Sequence, residues 1–293
     1  AALGGTKPLR DKIVIVNDGA PVVGFADWAE QLIAESTGKS GTGVLPVVVS
    51  EGAPELSSGA ADILVVSLVS EDAEPVDNGD AVAISGSLAA MMMAFEVATA
   101  VAGQLLGIDP YNQPDVESAK NATRELLASS PEPTPAEATD GSIEIRGSEQ
   151  VLQGATTVPE ALKALLDQLP EDGYVSVQAY FDRLGWAELE EIRPVLAEKT
   201  GRPVTFGWGP RFLHSTGQYH KGGPAQGVYL QITAATDTDV DIPEIPFSFG
   251  ELISAQADGD AKVLTDHHRP VLRLRLTDRS PGVEQLLKAA AEL

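Results

Sequence analysis

The sequence predicts an α/β protein in which a parallel sheet is flanked by helices and is followed by a second, smaller α/β region. Short runs of branched apolar residues alternate with longer segments of helical periodicity, which is the pattern of strands joined by helical crossovers. The chain has 293 residues, of which 43% are hydrophobic and 22% are charged. This length and composition are typical of a folded globular chain with two domains.

The first half of the chain supplies the strands of the predicted parallel sheet. The apolar run "KIVIV" begins at Lys12, and the segment 25–37 places Trp28, Leu32 and Ile33 on one helical face. Further short apolar strands are predicted at residues 44–50, 62–69 and 81–86. Continuous apolar strands of this kind are typical of a sheet that helices cover on both faces.

One segment, Ser87 to Gly107, is long and apolar enough to span a membrane. It carries Glu96 and lacks basic or aromatic anchors at its ends. We therefore expect a buried core helix here rather than a membrane span.

A composition change marks the predicted domain boundary. Residues 1–130 form the first domain, and residues 131–141 are expected to be a linker because the segment is rich in proline and acidic residues and lacks large apolar side chains. Residues 142–293 form the second α/β region. Its predicted strands are 142–147, 174–181, 203–209, 227–234 and a strand before residue 279, and its predicted helices include 158–169, 187–201 and 282–293.

The charge of the chain limits its partners. Twenty basic residues stand against 43 acidic ones, which gives a net charge of -23. Such a surface repels nucleic acids and anionic membranes, so we expect neither as a partner. The chain has no cysteine, which leaves no disulfide or zinc thiolate site and favours a reducing cytoplasm.

The segment "AESTGKSGTGVLP" places a carboxylate beside a flexible glycine loop. Its Gly38-Lys39-Ser40 matches the end of a nucleotide-binding P-loop, but Ile33 stands where that motif requires glycine, and a helix precedes the loop instead of a strand. Glu35 remains at the end of that helix as a candidate base near sugar carbons. A solvent-exposed glutamate is the competing interpretation.

A second loop, "PRFLHSTGQYHKGGP" from Pro210 to Pro224, gathers titratable residues. His214, His220 and Lys221 offer proton transfer and anion contacts near neutral pH, and the glycines allow close backbone approach. The two histidines have no carboxylate or cysteine at ligand spacing, so we predict no metal site.

Three segments together resemble the glucose-6-phosphate isomerase family, whose two halves are sugar isomerase (SIS) domains. "WAEQLIAESTGKSGTGVLPV" is similar to the stretch that carries the family's catalytic glutamate. "AFEVATAVAGQLLGIDPYNQPDVESAK" is similar to the stretch that ends in its catalytic lysine, and "LHSTGQYHKGG" to the segment with its active-site histidine. The resemblance is nearest to the actinobacterial, transaldolase-associated branch and covers about half of the chain.

The resemblance implies the roles of particular residues. Glu35 is the base that moves a proton between C1 and C2, and Lys120 and His214 open the sugar ring, with His220 as a competing histidine. The implied set of substrate-binding residues is Gly38, Lys39, Gln113, Gln218, His220 and Lys221.

The resemblance also implies a fold, a reaction and partners. The fold is SIS-like, that is flavodoxin-like, and the reaction is the isomerisation of glucose 6-phosphate to fructose 6-phosphate, a step of glycolysis and gluconeogenesis that needs no cofactor and no metal. The family's serine- and threonine-rich phosphate loop does not occur in this sequence. We therefore expect the chain to be the C-terminal catalytic half of a longer cytoplasmic enzyme, working with an N-terminal SIS domain and as a homodimer. The alternative is a non-catalytic SIS-type module that binds a sugar phosphate.

Overall fold

The computed structural model describes residues 3–73, 81–129, 135–235 and 238–293. They form two compact units, each built around one sheet. The first unit comprises Ala1–Asp115, Gly201–Pro203 and His214–Ala225, and the second unit comprises Val116–Thr200, Val204–Leu213 and Gln226–Leu293. The predicted α/β class is confirmed, since both units combine helices with largely parallel sheets.

The first unit contains the predicted parallel sheet. Its strands in the described part of the chain are β1 (Lys12–Asp18), β2 (Leu45–Val49), β3 (Ile63–Val69) and β4 (Ala81–Ile84). They pair in the order β2-β1-β3-β4, with every pair parallel. This is the order of a doubly wound sheet, and its buried central strands explain the unbroken apolar runs in the sequence.

Helices cover this sheet. The first unit contains α1 (Phe25–Thr37), α2 (Leu88–Leu106) and α7 (Gly217–Gly222), and α3 (Pro114–Ser129) begins within it. Phe25 of α1 packs edge to face on Phe95 of α2, with 5.0 Å between the ring centroids. Ile13 and Leu64 of the sheet lie in the same buried cluster. Buried apolar residues of α1 and α2 therefore meet the sheet and each other.

The apolar helix α2, which was predicted to be a buried core helix, is buried on one face only. Met91 and Phe95 are buried, whereas Met93 and Val97 are 61% and 54% exposed. One face of the helix contacts the core of the first unit, and 28% of its most apolar window is buried. Among the described residues it is also the one helix long and apolar enough to cross a membrane, with a mean hydropathy of 1.5. Core helices of soluble proteins share these properties, so the finding does not assign a location.

The second unit has a larger sheet. Its strands are β5 (Ala138–Asp140), β6 (Ile143–Arg146), β7 (Tyr174–Ala179), β8 (Val204–Trp208), β9 (Gly227–Ala234) and β10 (Val271–Leu276). They pair in the order β5-β6-β10-β9-β7-β8, in which β6 is antiparallel to both of its neighbours. Its helices are α4 (Glu149–Leu152), α5 (Val158–Leu166), α6 (Ile192–Thr200), α8 (Phe249–Asp266) and α9 (Arg279–Ala291).

The two faces of this second sheet differ in polarity. Val177, Leu230 and Leu274 point into a large apolar cluster. Because side chains alternate along a strand, the residues between them form the other face, where Gln178 and Gln231 are buried opposite each other. Helix α8 packs on this polar face, and Gln231 Nε2 donates to the Ala257 carbonyl at 2.8 Å.

Three sequence predictions about domain organisation need correction. The second region is not the smaller one, because in the described part of the chain its sheet has six strands against four. Residues 138–140 of the expected linker form β5, since a turn at Gly141, with a φ of 56°, returns the chain to pair with β6. Residues 131–134 of that linker lie outside the described part.

The third correction concerns the segment that carries His214. It belongs to the first unit from His214 to Ala225, rather than to the region that follows the linker. It is also helical where a glycine-rich loop was expected, with a 3₁₀ turn at Arg211–His214 and then α7. The segment is helical because it packs against the loop after α1.

Candidate active site

Glu35 lies in the last turn of α1 and is partly exposed. The helix ends at Gly38, whose amide donates to the Ala34 carbonyl at 3.1 Å. Thr37 then fixes the returning chain, because its hydroxyl donates to the Ile33 carbonyl at 2.8 Å and accepts from the Val44 amide at 3.0 Å. The glycine loop between Gly38 and Gly43 is thus closed at its base, and Glu35 sits beside it.

Two glutamine side chains donate to one oxygen of the Glu35 carboxylate. Gln31 Nε2 and Gln113 Nε2 each lie 3.4 Å from Glu35 Oε2. Gln31 precedes Glu35 by one turn of the same helix, whereas Gln113 comes from the turn before α3. The structure therefore brings Gln113, one of the predicted substrate-binding residues, to the predicted base.

Lys39 is buried beside this carboxylate and is engaged by the protein itself. The residue is 2% exposed, and its ammonium donates to the Asp109 carbonyl at 2.9 Å and to the Asn112 carbonyl. A further contact joins Nζ to Asn112 Oδ1 at 3.3 Å. Burial lowers the pKa of Lys39, against the opposing effect of nearby Asp109, Asp115 and Glu35. Its predicted role in binding substrate stays a prediction.

The glycine loop packs directly on α7. A Cβ atom added to Gly38 would overlap the backbone of Tyr219, and the Gly41 amide donates to the Gly222 carbonyl at 2.8 Å. An added Cβ on Gly222 would overlap the Gly38 carbonyl and the side chain of Asp115. Glycine is therefore required at Gly38 and Gly222 because two backbone segments approach each other there.

Gln218 joins all three segments that the family resemblance singled out. Gln218 is fully buried, and its Nε2 donates to the Gly38 carbonyl at 2.9 Å and to Asp115 Oδ2 at 2.7 Å. Its Oε1 accepts from the Asp115 amide at 3.1 Å. The side chain thus connects α7 to the glycine loop and to the first turn of α3.

The remaining residues of the histidine segment differ in accessibility. His214 is exposed, whereas His220 is 1% exposed. Lys221 is 3% exposed, and its ammonium donates to the Gly217 carbonyl at 3.2 Å within the same short helix. Of the two candidate histidines, His214 is therefore the one that solvent or a ligand reaches directly.

Lys120, the predicted ring-opening residue, is exposed on α3 and belongs to the second unit. Its role stays a prediction, as does that of His214. In the described ranges no group of three or more histidine, cysteine, aspartate or glutamate residues could hold a metal ion.

The sequence reasoning missed several residues of this site. Gln31, Asp109, Asn112 and Asp115 were not singled out, although each makes a contact described above. Gln31 carried a usable signal, since residues four apart on a helix face each other. The others act through main-chain groups or through partners far away in the sequence, which no local pattern reveals.

Comparisons with known proteins find distant structural similarity and no family. No protein-family profile and no curated protein matches the chain. A hypothetical protein from Thermus thermophilus is 14% identical, with a TM-score of 0.40, over 96% of this chain and 76% of that one. A proposed sugar-binding protein from Salmonella typhimurium is 14% identical, with a TM-score of 0.31, over 98% and 89%. At this level of similarity neither structure bears on the chemistry of the site.

Proposed function

We propose that the chain carries the catalytic base of an aldose–ketose isomerase of sugar phosphates, converting glucose 6-phosphate to fructose 6-phosphate. The observation that supports this is the contact of three segments around the end of α1: Gln113 donates to Glu35 itself, and Gln218 of α7 donates to the Gly38 carbonyl and to Asp115. These are the segments whose sequences resemble the isomerase family. Their contacts span up to 180 residues of sequence.

The proposed chemistry moves one proton between adjacent carbons. After the ring opens, the Glu35 carboxylate removes the proton from C2 of the aldose, and the electrons of that C–H bond form an enediolate. The hydroxyl proton moves from O2 to O1, and Glu35 returns its proton to C1, which gives the ketose. A carboxylate with one oxygen held by amides can serve both carbons without changing its position.

Ring opening needs two further groups. One must take the proton of the anomeric hydroxyl while another gives a proton to the ring oxygen as its bond to C1 breaks. We propose Lys120 and the exposed His214 for these roles, following the resemblance. Neither step consumes a cofactor.

The phosphate of the substrate requires other donors than the lysines of this site. The ammonium groups of Lys39 and Lys221 already donate to main-chain carbonyls. We therefore propose that a separate SIS domain, as in the family that the chain resembles, binds the phosphate, and that the active form is a cytoplasmic homodimer containing both domains.

The alternative function is a non-catalytic SIS-type module that binds a sugar phosphate without transforming it. The two proposals differ in what Glu35 does. A base is required for turnover, whereas a module needs the carboxylate only for hydrogen bonding.

The test is isomerisation of fructose 6-phosphate coupled to glucose-6-phosphate dehydrogenase, for the chain alone and for the complete gene product. We expect activity in the complete product and a loss of at least about a hundredfold in kcat with Glu35→Gln, because a neutral amide cannot accept the carbon-bound proton. Glu51→Gln, at an exposed turn, is the matched control and should leave kcat unchanged.

Two outcomes would count against the enzyme. Unchanged turnover in Glu35→Gln would remove Glu35 from the reaction. Sugar phosphate binding without turnover in the complete wild-type product would establish the binding module instead.

A further inference from the structure

We propose that Lys39 is a positioning residue: its buried ammonium holds the turn of residues 109–112 so that Gln113 reaches the Glu35 carboxylate. The role is distinct from substrate binding, which the family resemblance implies for the same lysine. Its consequence for catalysis rests on the proposed function, but the contact itself does not.

The acceptors of Lys39 are all on one turn. A lysine ammonium has three N–H donors and no acceptor. Around Lys39 Nζ lie three oxygens: the Asp109 carbonyl, the Asn112 carbonyl and Asn112 Oδ1. The number of acceptors equals the number of donors, and each belongs to the first or the last residue of the turn.

The turn is also braced from its other side. Asp109 Oδ1 accepts from the Tyr111 amide at 2.9 Å, and Asp109 Oδ2 accepts from Asn112 Nδ2 at 3.1 Å. Pro110 packs on α2, since a Cβ added to Gly103 would lie 2.9 Å from Pro110 Cγ. These contacts shape the turn, and Lys39 attaches it to the end of α1.

Glu35 and Lys39 together hold one short segment at two points. They lie four residues apart around the end of the same helix. Lys39 binds the carbonyl and side chain of Asn112, and Glu35 accepts from the side chain of the next residue, Gln113. If the ammonium were absent, the Asn112 end of the segment would lose its attachment to α1, and Gln113 would lose its register with the carboxylate.

The surroundings of Lys39 also explain how a charged lysine can be buried there. Removing a cation from water is costly unless polar groups surround it. Carbonyl oxygens stabilise the cation in place of water. Burial lowers the pKa of Lys39 in agreement with this environment.

The first arm of the test needs no activity. In wild-type protein labelled with ¹⁵N, the side-chain amide signal of Gln113, assigned by its loss in Gln113→Leu, should shift when Glu35→Gln is introduced. In the Lys39→Met background the same Glu35→Gln substitution should no longer shift it. The response of the Gln113 signal to Glu35→Gln is called the coupling below. A shift of wild-type size in Lys39→Met would overturn the proposal.

Controls separate positioning from loss of the fold. Lys163→Met removes a lysine that is 68% exposed and pairs with Asp167 in the second unit, so it should preserve the shift. Asn112→Ala removes one of the three acceptors of Lys39, together with the bond from Asn112 Nδ2 to Asp109, and should weaken the coupling in a protein that stays folded. In Lys39→Ala, added propylammonium should restore the coupling and 1-propanol should not. Equal restoration by both would contradict a role for the charge.

The second arm measures turnover in the complete gene product. Lys39→Met should lower kcat by roughly tenfold to a hundredfold, the scale of a base displaced by about 1 Å, with a smaller change in KM. If Lys39→Met loses the coupling but the wild-type protein shows no isomerase activity, the positioning role is upheld and the proposed function is rejected. If Lys39→Met keeps the coupling and the wild-type protein is an active isomerase, the positioning role is rejected and the proposed function is upheld.

Discussion

Two neutral amide side chains donate to the Glu35 carboxylate. Gln31 and Gln113 both donate to Oε2, and amide donors orient a carboxylate while carrying no charge themselves. The nearby cation, Lys39, is turned instead toward the carbonyls of residues 109 and 112. For a proposed base neutral donors matter, because they lower the capacity of the carboxylate to accept a proton less than a cationic donor would.

Sequence reasoning identified Glu35 but could not define what Lys39 contacts. The resemblance to the isomerase family singled out Glu35, because a carboxylate at a helix end followed by three glycines is by itself equally typical of a solvent-exposed residue. The partners of Lys39 are mostly main-chain carbonyls at least 70 residues away. Every residue has a carbonyl, so no pattern of residue types marks these acceptors.

A buried charge cluster at the start of β1 leads to a prediction about stability. Lys12 is fully buried, and its ammonium contacts Asp11 Oδ1 at 2.7 Å and Asp62 Oδ2 at 3.0 Å. Arg202 also binds Asp62. Burial acts to raise the pKa of Asp62, but the bonds from Arg202 and Lys12 outweigh it, so the pKa is lowered. For Asp11 burial is the larger effect, and its pKa is raised.

The Asp62→Asn variant should lose about 2–4 kcal/mol of unfolding free energy at pH 7, because Lys12 keeps its buried charge with one fewer carboxylate. A lowered folded-state pKa gives stability that is complete above the ordinary aspartate value and is lost as pH falls through the folded value. The deficit of the variant should therefore shrink below about pH 3.9.

Urea denaturation from pH 2 to pH 7 measures this difference. Asp167→Asn, in an exposed pair with Lys163, is the control and should change stability by less than about 0.5 kcal/mol. A deficit of Asp62→Asn that stays constant down to pH 2 would show that the carboxylate charge is not what stabilises the cluster.

At the scale of the elements, the second sheet supports one helix on a polar face. Gln178 of β7 and Gln231 of β9 are paired in register and are both buried. Gln231 donates to Ala257 of α8 and accepts from Arg273 Nε at 2.8 Å. Among the described residues, neither side-chain polar atom of Gln178 has a hydrogen-bond partner. The two glutamines therefore form a matched pair for testing what a satisfied amide contributes.

Replacing each glutamine with methionine should have opposite effects. Gln178→Met should stabilise the second unit by about 1–2 kcal/mol, because it removes an unsatisfied buried amide and keeps a similar volume. Gln231→Met should destabilise it by about 1–3 kcal/mol, since Arg273 and the Ala257 carbonyl lose their partner. Denaturant midpoints report both changes. Destabilisation by Gln178→Met would indicate that its amide is engaged after all, for instance by buried water.

Elements with strong local signals were predicted well, and those that depend on packing were not. The bounds of α1 and β9 match the predicted segments 25–37 and 227–234, because periodicity and branched residues define them locally. α7 was expected to be a loop, since glycines flank its short sequence. It is helical where it packs on the loop after α1. β5 was hidden in a segment of linker-like composition and is defined by its pairing with β6.

For the whole molecule, the composition of the units could not be read from the sequence. The first unit gathers three separate stretches of the chain, including Gly201–Pro203 and His214–Ala225. A boundary drawn at a change in composition divides the chain once, so it cannot anticipate a later segment that returns. The contacts that bring α7 to the glycine loop are side-chain and backbone bonds across 180 residues.

The net charge of -23 constrains the proposed reaction of the whole molecule. An acidic surface repels a sugar phosphate at long range, so its phosphate must be held by locally concentrated donors. Because the lysines of the described site are engaged by carbonyls, we place those donors in the proposed partner domain. The proposed isomerase is thus expected to work as an assembly.

The most direct measurement follows the proton itself. Fructose 6-phosphate is incubated in D₂O with the complete gene product and with its Glu35→Gln variant, and NMR of the glucose 6-phosphate formed measures deuterium at C2. We predict deuterium at C2 with the wild-type protein, because the proton held by Glu35 exchanges with solvent while the enediolate persists, and none with the variant. Deuterium entering C2 at the same rate in both proteins would contradict the assignment of Glu35 as the base.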